Sequence, residues 1–100
     1  MENLMARRGD IVTTYEGCQP TTNCQDAHPT VFVANIGIHT KTMKNVPHTY
    51  GPIACPTHTT PLMRVSNTVF ASNLGVGRKG DKYLMGEEIT EVLQSTVFAG

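Results

Sequence analysis

Cysteine and histidine supply the chemistry that this chain could do. Its four histidines, His28, His39, His48 and His58, crowd into one third of the sequence, and Cys55-Pro56-Thr57-His58 sets a thiol and an imidazole three residues apart in a Pro-bounded loop. Zinc takes four such nitrogen and sulfur donors in tetrahedral array at structural sites. The three cysteines, Cys18, Cys24 and Cys55, are an odd number, which speaks against a closed disulfide framework. Met1 to Asp10 has no apolar central region of the kind a signal peptide carries, which points to a reducing compartment where thiols more often bind metal. A single Cys-x-x-His recurs by chance, and any one of these histidines reads equally well as a loop residue bonded to backbone. The convergence of several of them with a Cys, in the turns of one small chain, makes them candidate ligands.

The elements that must position these residues come from a degenerate internal repeat. All three phenylalanines lie in the tripeptide Thr-Val-Phe, at residues 30–32, 68–70 and 96–98. The first two copies continue in parallel for eleven residues, Val31 to Lys41 against Val69 to Lys79, with Val, Phe, Asn, Gly and Lys coinciding. A repeat of this kind is one supersecondary unit that buries its apolar face only against its neighbours. Each copy reads as a strand, a tight Asn/Gly-containing turn and a second strand, the short-range hairpin pattern. The three Phe are expected at equivalent core positions beneath the hairpins. Residues 13–30 and 40–61, dominated by Thr, Pro, His, Gly and Cys, show neither helical periodicity nor strand alternation and read as loops. Gly86 to Gln94 fits a short helix, but Ile89, Val92 and Leu93 also suit strand, and strand is our reading. The fold class is thus all-β, a small body of short hairpin repeats with long loops, forming one domain over residues 1–100.

Composition excludes several functions. With 39% apolar residues and no Trp in 100 residues, the core is thin and needs a staple such as a metal, a disulfide or oligomerisation. Net charge is zero with 16% charged residues, so the basic patch of a nucleic-acid or anionic-membrane binder is missing. No apolar run approaches the roughly 18 residues of a membrane span, and the chain is expected to be soluble and made in the cytosol.

Ala6-Arg7-Arg8-Gly9-Asp10, the Thr-Val-Phe hairpins, Arg78-Lys79-Gly80-Asp81 and the closing Ser95-Thr96-Val97-Phe98-Ala99-Gly100 together resemble the PAAR-repeat family over nearly the whole chain. The family's Pro-Ala-Ala-Arg tetrad falls on Gly75-Val76-Gly77-Arg78 and, in the first copy, on Gly37-Ile38-His39-Thr40, so that only Arg78 survives. A phage-tail subgroup carries a His at the third tetrad position, a second His nine residues later, then a Cys and a His. His39, His48, Cys55 and His58 reproduce that order, and the resemblance implies them as the metal ligands. His28 lies outside the pattern and is expected to tolerate substitution. Two family features are replaced here: Gly-Asp after the first hairpin by Thr42-Met43, and Cys-Gly after the last Gly-Asp by Met85-Gly86. A loop His of the subgroup aligns with Glu16, so its role passes to His39, to Cys18 or to Glu16 itself.

The resemblance implies a small metal-bearing cone that caps the trimeric β-helical spike of a contractile injection system, one copy per trimer, touching a target-cell membrane transiently and binding no nucleic acid. It implies zinc, with iron as the alternative, and a virion location at the tip of a tail spike. The alternative is a type VI secretion spike tip that waits in the bacterial cytoplasm and leaves with the spike. With no extension past Gly100, no fused toxin is expected. The competing reading is a small zinc hydrolase with Glu16 as base. The repeat, the missing nucleophile elbow and a Gly75-x-Gly77-x-x-Gly80 segment with no helix after it stand against that, so no catalytic residue is assigned. A free-standing zinc adaptor differs from the cap only in not co-purifying with a spike.

Overall fold

The two Thr-Val-Phe hairpins close through turns in which both central residues are left-handed: Ala34 and Asn35 at φ 49° and 68°, Ser72 and Asn73 at 50° and 65°. This is the conformation whose twist matches paired strands. The computed structural model describes residues 3–51 and 54–100, and among them the chain is all-β with no helix. In order the strands are β1 (Asn3–Leu4), β2 (Ile11–Thr13), β3 (Thr21–Asn23), β4 (Phe32–Val33), β5 (Ile36–Gly37), β6 (His48–Thr49), β7 (Thr57–His58), β8 (Phe70–Ala71), β9 (Leu74–Gly75), β10 (Glu88–Glu91) and β11 (Phe98–Ala99). β4–β5, β6–β7 and β8–β9 are antiparallel pairs, β2 lies between β10 and β3, and β11 pairs with β1. The third Thr-Val-Phe therefore finds its second strand at the other end of the chain. β10 is the strand expected within residues 86–94. By contrast, β3, β6 and β7 fall in segments read as loops, because two- and three-residue strands are too short to show alternation.

A closed ring of backbone hydrogen bonds joins the three repeats. Ala6 N–H donates to Gly77 O (2.8 Å), Gly77 N–H to His39 O (2.7 Å), and His39 N–H to Ala6 O (3.0 Å). Two residues further on, Arg8, Lys41 and Lys79 donate to Gly37, Gly75 and Leu4, the equivalent residue of the next repeat each time. The molecule has a pseudo-three-fold axis. Gly37 and Gly75 coincide in the sequence because each is overlaid by backbone: a Cβ at Gly37 would lie 2.7 Å from His28 O, and one at Gly75 would collide with Ser66 O.

Each Thr-Val-Phe is entered through the same side-chain cap. His28 Nδ1 accepts from the N–H groups of Thr30 and Val31, Ser66 Oγ from those of Thr68 and Val69, and Gln94 Oε1 from those of Thr96 and Val97. Three chemically different acceptors thus do one job. His28, expected to tolerate substitution, is buried in that role, and its Nε2 reaches Ser72 Oγ at 2.9 Å. The turn after each ring residue repeats too. Asp10 and Asp81 accept from the N–H of Arg7 and Arg78, while in the middle repeat Met43 Sδ accepts from Thr40 N–H. There Thr42, at φ 73°, occupies the place of Gly9 and Gly80.

Two apolar clusters flank the ring. Met5, Val33, Ile38, Ala71, Val76 and Ala99 pack on the hairpin side, and Ala6, Val12, Cys24, Leu62, Tyr83, Ile89 and Val92 on the other. The phenylalanines belong to neither. Phe32, Phe70 and Phe98 are 56%, 57% and 48% exposed, against the expectation that they form the core. Successive strand residues face opposite ways, and here the small partners Val33, Ala71 and Ala99 point inward while the rings point out. The molecule is elongated, 39 × 23 × 23 Å, and among the described residues no helix is long and apolar enough to cross a membrane.

Candidate metal centre

Antiparallel pairing sets His48 of β6 directly opposite His58 of β7, the cross-strand relation that brings two side chains onto one face. Glu87 arrives from the turn before β10, where Gly86, at φ 96°, reverses the chain; Tyr83 N–H donates to Glu87 O (2.8 Å) and Gly86 N–H to Tyr83 O (3.0 Å). The three donor atoms converge. His48 Nε2 lies 2.9 Å from His58 Nε2 and 3.1 Å from Glu87 Oε2, and His58 Nε2 lies 3.3 Å from the same oxygen. His48 and Glu87 are buried and His58 is partly so.

Ring orientation follows from the outer contacts. His48 Nδ1 is 2.9 Å from Val46 O, which can only accept, so Nδ1 donates to it and Nε2 is the ring atom that faces the carboxylate. Such an outer hydrogen bond is the usual way in which a metal-binding imidazole is oriented. Val46 is itself held, its N–H by Asn23 O and its carbonyl by Thr22 Oγ1. Tyr50 stacks on His58 with ring centroids 3.9 Å apart. Two ring nitrogens and a carboxylate oxygen therefore converge in a largely buried space, and among the described residues Glu87 Oε1 has no hydrogen-bond partner. Imidazole nitrogen and carboxylate oxygen are both metal donors, and this group can hold a metal ion.

The structure brings His48 and His58 together and places the other sequence candidates elsewhere. His39 lies in the ring, its Nδ1 donating to Asp26 O and its Nε2 2.8 Å from Tyr83 Oη; burial holds this imidazole below its ordinary range. Its connection to the centre is indirect, through Tyr83 and the turn that carries Glu87. Cys55 is joined to Cys18 by a disulfide, Cα to Cα 5.8 Å, within the span that the bond allows. The expectation that these thiols bind metal is corrected by that pairing. Odd parity misled because the third cysteine, Cys24, stands apart as a buried core thiol, pushed up to about 12 by desolvation and 3.4 Å from Tyr83 Oη. Glu16 is not at the centre either; its Oε2 accepts from Gly51 N–H in the disulfide-tied loop.

Glu87 was missed by reading along the chain. Its only trace is negative: the Cys-Gly that the resemblance leads one to expect is Met85-Gly86, and a carboxylate follows. No protein-family model matches the chain, and no curated protein sequence matches it.

Proposed function

We propose that this chain is the metal-stabilised conical tip of a trimeric membrane-piercing spike in a contractile injection system, most simply a phage tail, and that it has no catalytic role. The observation that carries this reading is the ring Ala6–Gly77–His39 with its second layer, which makes one chain pseudo-three-fold. A true three-fold partner can meet such a chain with each subunit facing one repeat. About the axis, Phe32, Phe70 and Phe98 occupy equivalent exposed positions, and large apolar side chains exposed once per repeat suit a binding surface. The hairpins beside them are two residues per strand and offer open edges for strand addition.

At the other end of the chain's topology, loops rather than layers must be held, and the disulfide and the His48–His58–Glu87 group tie them. His48, His58 and Glu87 would hold the ion, which would supply a charged cross-link between β6, β7 and the turn before β10. Metal binding of this type is folding energy, which suits a point driven through a membrane.

The test is stoichiometry. Co-expressed with its spike, the protein should give a complex of three spike chains to one of these by light-scattering mass and subunit ratio. A self-trimer, or a one-to-one ratio, would rule the cap out.

A further inference from the structure

The geometry points to a particular coordination at this centre: a two-histidine, one-carboxylate face for a five- or six-coordinate divalent ion of the ferrous class, with Glu87 chelating through both oxygens, in place of a tetrahedral zinc. It rests on the proposed metal stabilisation and deepens it.

Three observations support it. First, no fourth nitrogen or sulfur donor joins the group among the described residues. Cys18 and Cys55 are bonded to each other, and both nitrogens of His39 are engaged by Asp26 O and Tyr83 Oη. A closed structural zinc site needs four ligands, preferentially N and S. Second, Glu87 Oε1 is a buried acceptor without a partner among the described residues, on the same carboxylate whose Oε2 faces both imidazoles. Leaving it unbonded costs its desolvation, and a chelating carboxylate satisfies it. The small bite of a chelating carboxylate suits five or six coordination better than four.

Third, the donor spacing fits. With metal–donor bonds of about 2.1 Å, tetrahedral donors lie about 3.4 Å apart and right-angled donors about 3.0 Å. The observed edges are 2.9, 3.1 and 3.3 Å. Two imidazoles and a carboxylate on one face of an ion is the donor set of non-haem ferrous sites and of open zinc sites, and among the described residues it lacks the fourth ligand and the sulfur of a closed structural zinc. The remaining positions would be filled by water on the side of His58, whose side chain is 18% exposed.

Cobalt(II), added to metal-free protein with its disulfide intact, is the probe, because its visible absorption is weak in six-coordinate sites, intermediate in five-coordinate ones and intense in tetrahedral ones. We expect stoichiometric binding with weak to intermediate absorption. In Glu87→Gln, which keeps one carbonyl oxygen but loses the chelating charge, affinity should fall by more than the roughly 10- to 100-fold that losing an outer-shell partner costs. In Glu87→Cys an intense tetrahedral spectrum with thiolate charge transfer should appear. An intense tetrahedral spectrum from the unaltered protein overturns this assignment while leaving metal stabilisation standing. Failure of the unaltered protein to bind cobalt, zinc or iron overturns both. The unaltered protein decides the matter even if a variant does not fold.

Discussion

The hairpin end and the loop end of this molecule are held by different physics. Around the pseudo-three-fold axis, the ring of backbone hydrogen bonds, three side-chain caps and a cluster of Met5, Val33, Ile38, Ala71, Val76 and Ala99 form a small but conventional core. The segments carrying β6 and β7 bury little apolar surface and are held by a disulfide and by three convergent donors, two of them buried. The first kind of order needs repetition and the second needs specific chemistry. This explains why the repeats accommodate His, Ser or Gln at the same cap, whereas the loop end has only the Cys18–Cys55 bond and a donor group that can hold a metal ion.

The largest effect should come from the donor group. His48→Ala should abolish metal binding and cost about 3–5 kcal/mol, since it leaves Glu87 buried without its partner. A core truncation at the other end, Ile38→Ala, should cost about 2–5 kcal/mol yet leave metal content unchanged. Chelator-dependent unfolding of both variants separates the two ends, and equal chelator sensitivity would erase the distinction.

Reduction of the disulfide should be next. It closes a loop with a sequence separation of 37, for which chain entropy gives about 3–4 kcal/mol. Denaturant melts of Cys18→Ser/Cys55→Ser against the unaltered protein measure this, and hydrogen exchange should place the loss at the β6–β7 loop rather than in the ring.

The caps come third. Ser66→Ala leaves two amide donors without their acceptor and should cost about 1–2 kcal/mol. His28→Ala should cost as much, whereas His28→Ser, copying the second repeat, should recover part of it. A neutral His28→Ala would show that the repeats are not energetically equivalent.

Acid should act through His39. Its folded-state affinity for a proton is depressed by burial, so the unfolded chain binds that proton first; the stability it contributes is present above about pH 6.5 and is lost as pH falls below that value. The slope contributed by one such group is at most about 1.4 kcal/mol per pH unit, and His39→Gln should flatten the pH profile of stability by that much relative to the unaltered protein. The smallest change expected is a gain. Thr42 holds a β-branched residue at φ 73° where its counterparts are Gly9 and Gly80, so Thr42→Gly should stabilise by about 1 kcal/mol in a thermal melt.

Reading along the chain reached as far as local patterns carry. Thr-Val-Phe and the matching Asn and Gly positions disclosed the repeat, the two hairpins and the all-β class, because turn chemistry and strand propensity act over a few residues. The direction in which Phe32, Phe70 and Phe98 face was misread, since a two-residue strand gives no alternation to decide it. His48 and His58 stood out as chemistry, but neither the Cys18–Cys55 bond nor the cap at His28 did.

By itself, the sequence determined how many repeats there are, what each repeat folds into locally, and that so thin a core must be cross-linked, since all three follow from composition and short-range spacing. Only the tertiary structure decided which groups lie close enough to cross-link. It joined Cys18 to Cys55, withdrew His39 into the ring, and carried Glu87 to two histidines on a different hairpin. The physical reason is that ligation and disulfide bonding act over a few ångströms in space, and in a fold assembled around a pseudo-three-fold axis residues near in space are routinely distant in the chain.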